Sequence, residues 1–83
     1  MNEQEIVRQL KGWLGDAGTK HFQEIKNKYG SVMASWNEGG LPHVTHFREG
    51  MMVRNKLREI TNYSQTDHWY DDNWARLVEL CLG

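Results

Sequence analysis

His43 and His46 stand three residues apart, a spacing that places both imidazoles on one face of a helix. Such a pair holds a metal ion when a third and a fourth ligand arrive from elsewhere in the chain. The remaining candidates are His21, His68, Asp71, Asp72 and Cys81, and none makes a recognised ligand spacing with another. No His-Glu-x-x-His and no Cys-x-x-Cys occurs. The spacing therefore predicts no metal and no cofactor. Two histidines near a helix start, hydrogen-bonded to backbone or water, is the plainer reading. Nucleophilic chemistry finds little support either. Cys81 falls on the apolar face of a helical segment, where a thiol behaves as a small buried hydrophobe. Ser31, Ser35 and Ser64 lie in no Gly-x-Ser-x-Gly elbow, and the glycines form no phosphate-cradling loop.

The densest passage is Asp67-His68-Trp69-Tyr70-Asp71-Asp72-Asn73-Trp74, with three carboxylates, one imidazole and three large rings in eight residues. It reads in three ways. Rigid aromatic anchors ringed by acceptors suit a recognition loop, which makes Trp69 and Tyr70 candidate contact residues together with Trp36. Neighbouring carboxylates and a histidine whose proton affinities are tuned apart suit acid/base chemistry. A helix cap, with Trp69 and Trp74 pinning the connection onto the core, needs no function at all. The cap is the favoured reading and recognition the second.

Composition narrows the classes further. The 83 residues carry ten Lys and Arg against eleven Asp and Glu, a formal charge of −1. A nucleic-acid binder or an anionic-membrane binder needs a strong positive excess, so neither is expected. Arg48, Arg54, Lys56 and Arg58 form the most basic stretch, read as spread around a helix and mostly solvated. No apolar run reaches the length of a membrane span, and no signal-peptide core is expected at the start. One cysteine makes no internal disulfide, which points to the cytoplasm. Nine aromatic residues, four Trp, three Tyr and two Phe, supply a small core with large side chains.

The elements that must position these residues are helical. Ile6, Val7, Leu10, Trp13 and Leu14 recur at a 3.6-residue period and predict a first buried stripe, ended near Gly15. Residues 15–18 are expected to form a connection. Thr19 then caps a second helix with Phe22, Ile25 and Tyr29 inward and Gly30 as its stop, packed antiparallel to the first. Residues 31–36 are ambiguous, and a hairpin over 31–47 around Asn37-Glu38-Gly39-Gly40 is the alternative there. Pro42 to Ile60 reads as a long third helix with Val44, Phe47, Met51, Met52 and Leu57 as its apolar positions, and Gly50 in its middle. After a connection over residues 62–72, Asp71 or Asp72 caps a last helix with Trp74, Leu77, Val78, Cys81 and Leu82 inward.

At His46-Phe47-Arg48-Glu49-Gly50-Met51-Met52-Val53-Arg54-Asn55 the chain resembles a family of small uncharacterised bacterial domains with a His-Phe-x-x-Gly-x-x-[Ile/Val]-Arg-Asn segment. That family carries a later Asp-Asp pair opening a C-terminal helix, and Tyr70-Asp71-Asp72-Asn73 is similar, with Tyr70 where the family has proline. The resemblance covers roughly residues 43–82. It implies an all-helical fold, often carried on mobile or phage-derived gene cassettes, and no specific activity. It also implies a polar clamp. His46, Gly50 and Arg54 line one helix face, Arg54 reaches Asp71 or Asp72, and Asn55 caps nearby backbone.

The sequence thus predicts an all-α chain, residues 1–83 as one four-helix domain with an irregular middle. Its expected role is a small protein-interaction or regulatory module, meeting a protein partner or a second copy of itself. The alternative is a small enzyme or metal-dependent site built on His43, His46, His68, Asp71 and Asp72.

Overall fold

A computed structural model of the chain describes residues 2–32 and 49–82. All regular structure among them is helical: α1 (Glu3–Tyr29), α2 (Glu49–Ile60) and α3 (Asp67–Leu82). The fold is all-α. The expected start of the third helix, with Pro42, Val44 and Phe47, lies outside the described residues, as does nearly all of the alternative hairpin. Of that hairpin only Ser31, at a bend, and the helical Val32 are described.

Three of the expected four helices are distinct, because the first two are a single bent helix. Asn2 caps α1 by accepting the Glu5 amide at 2.9 Å, and Glu3 and Glu5 face the positive end of its dipole. The helix then runs through the expected connection with one departure, Gly15, at φ 65° and ψ −171°. The break is one residue wide, so the antiparallel pair joined by a loop is not formed, and Thr19 is an interior residue rather than a cap. Gly30 ends the helix at φ 90°, its amide bonded to the Lys26 carbonyl at 2.7 Å.

α2 and α3 form an antiparallel hairpin with a compact hinge. Asn62 donates to the Glu59 carbonyl at 3.1 Å and Tyr63 to the Arg58 carbonyl at 2.8 Å. This pair of bonds is the Schellman arrangement, with Asn62 in the left-handed region at φ 56°. Thr66 caps α3 by accepting the Trp69 amide at 3.1 Å. The cap of the last helix therefore lies about five or six residues before the expected Asp71 or Asp72. The aromatic-acidic passage is its first two turns, not a loop.

The core is shared by all three helices. Leu10, Leu57, Trp74, Leu77 and Val78 are fully enclosed, with Ile6, Phe22, Val53, Ile60, Tyr70, Ala75 and Cys81 around them. Each buried stripe follows the helical period, since Val53, Leu57 and Ile60 on α2 meet Trp74, Leu77, Val78 and Cys81 on α3. Burying a residue such as Trp74 or Leu57 contributes about 1.5–3 kcal/mol each. Polar contacts fasten the N-terminal part of the chain to α3: Arg76 pairs with Glu3 of α1, and the amide of Val32, just beyond α1, donates to Glu79 Oε1 at 2.6 Å. Trp13 departs from its expected place. It sits at the edge of the α1 stripe and is 39% exposed, while Val7 and Leu14 pack against the core.

Candidate functional site

The residues singled out in the sequence separate into a scaffold and a surface. Arg54 is on the buried face of α2, between Val53 and Leu57, with only 9% of its side chain exposed. Its Nη1 donates to Asp71 Oδ1 at 3.0 Å. One turn on, Arg58 Nη2 reaches Asp67 Oδ1 at 3.5 Å, and its guanidinium lies over the Tyr70 ring at 5.1 Å. The two pairs form a ladder: a step of four forward on α2 matches four backward on α3, as antiparallel helices require. Arg54 and Arg58 of the basic stretch share the α3-facing side, whereas Lys56 lies beside Trp13 of α1, and Arg48 is outside the described residues. Asp72 points to solvent one residue away, because i and i+1 on a helix diverge by about a hundred degrees. Asn55 caps no helix end. It is exposed and accepts from Arg58 Nη1 at 2.9 Å. His46, the remaining clamp residue, lies outside the described residues.

Of the three expected contact residues, Trp36 also lies outside the described residues. Tyr70 is 1% exposed and belongs to the core, not to a contact surface. Thr61 has one proton and directs it to the Leu57 carbonyl at 2.8 Å, so the Tyr70 hydroxyl donates to Thr61 Oγ1. Trp69 is half-buried and packs edge-on against Tyr70, ring centroids 5.2 Å apart. The passage is largely structural, with Tyr70 and Trp74 buried and Trp69 against the core, as the favoured cap reading expects of Trp69 and Trp74. His68 is exposed at the start of α3. Among the described residues no three of His, Cys, Asp and Glu converge as metal ligands. His43 and His46 are outside them. Cys81 is buried, its Sγ 3.6 Å from the Val7 carbonyl, and burial pushes the thiol up to about 11.

What the sequence reading missed is the groove between α1 and α2. It is about 860 Å³ in volume. Trp13, Leu14, Ala17, Gly18, His21 and Phe22 form one wall, and Glu49, Met51, Met52, Val53 and Asn55 form the other. The α1 residues step at intervals of three and four, so one face of the helix supplies them all across the bend. On α2 the outward stripe begins with Met51 and Met52, 45% and 62% exposed. At one end His21 Nε2 and Glu49 Oε1 are 3.1 Å apart, which ties the second half of α1 to the start of α2. The imidazole also lies edge-on to Phe22 at 5.6 Å. Trp13 is shared with a shallower hollow of about 390 Å³ formed with Gln9, Lys56, Glu59 and Ile60. Three large apolar side chains thus line one side of the molecule beside charges of both signs.

No known protein family, curated protein or solved structure matches this chain. The geometry of its own side chains is therefore the basis for a functional reading. No helix among the described residues is long and apolar enough to cross a membrane.

Proposed function

We propose that this chain is a small cytoplasmic protein-interaction module that self-associates through the groove between α1 and α2. The observation that carries the reading is that three of the five large apolar side chains exposed among the described residues, Met52, Met51 and Trp13, line one groove, while the other two, Tyr63 and Leu80, lie apart from it. Methionine is pliable and polarisable, and Trp adds a rigid anchor; both are characteristic of contact surfaces. A second copy fits as the occupant for two reasons. The net charge of −1 leaves little self-repulsion to overcome. Lys56 and Glu59 lie together beside Trp13, so a two-fold axis can pair each with its opposite on the other copy.

Sedimentation across a wide concentration range tests the reading. The wild-type chain is expected to dimerise, and Met52→Glu to remain monomeric with an unchanged melting temperature, because that side chain contributes little to the core. A wild-type chain that stays monomeric at every concentration would remove self-association.

A further inference from the structure

No further inference is drawn: the strongest candidate, the apolar groove between α1 and α2 with the His21–Glu49 pair at one end, belongs to the site already described, and nothing in the structure shows what covers it.

Discussion

Arg54 is the residue whose role depends most on where it sits. A guanidinium on the core side of α2 has lost most of its water, and Asp71 restores a charged partner at 3.0 Å. Asp71 itself is 47% exposed, so the pair is half-buried and its acidic end stays hydrated. Arg54→Ala is expected to lower stability by about 2–4 kcal/mol in urea unfolding, from lost packing of the buried stem as well as lost charge pairing. Arg54→Lys should recover only part of it, since an ammonium lacks the planar fork that spans this gap. An Arg54→Ala chain as stable as wild type would show that the pair is solvent-screened. Asn55 and Asp72 take no part in the pair and His46 lies outside the described residues; that Arg54 meets an aspartate was legible, through the family resemblance. Which aspartate meets Arg54 was not, because that depends on the first residue of α3.

The helix ends explain why element boundaries were harder to read than element types. Asp71 and Asp72 suit a cap as well as Thr66 does, and residues 62–72 read as a connection because they are rich in polar residues. The Thr66 hydroxyl on the Trp69 amide decides the start. Thr66→Ala is expected to cost about 1 kcal/mol. At the other side of the hinge, Asn62 holds φ 56° where glycine would be unstrained, so Asn62→Gly is expected to stabilise the hairpin by up to about 1 kcal/mol. Thermal melts of the two variants should move in opposite directions. A shift of both in the same direction would mean that the hinge geometry is not what limits stability. The merged first helix has a related cause. Residues 15–18 read as a connection, yet only Gly15 leaves the helical region and its neighbours stay helical.

Across the molecule, Cys81 reports on whether the three helices are closed over one another. Its thiol is covered by α1, and burial holds its pKa near 11 against an ordinary value of 9.0. Ionisation is therefore easier in the unfolded chain. The neutral thiol's contribution to stability is fully present below about pH 9 and is lost as pH rises toward 11. Cys81→Ala should flatten that part of the stability profile, and a thiol reagent at neutral pH should modify Cys81 only as fast as the chain unfolds. Rapid labelling of the native protein would show that α1 does not cover α3. The buried stripes of the helices, and hence the all-α fold and the enclosure of Cys81, were readable because a 3.6-residue period survives in any packing of those helices. Trp13, Met51 and Met52 belong to the same periodic pattern as the buried residues, and nothing local distinguishes a core position from a groove position at the edge of a stripe. Their exposure follows from how α1 lies on α2 and from the pairing of α2 with α3, which arise from contacts between segments far apart in the chain.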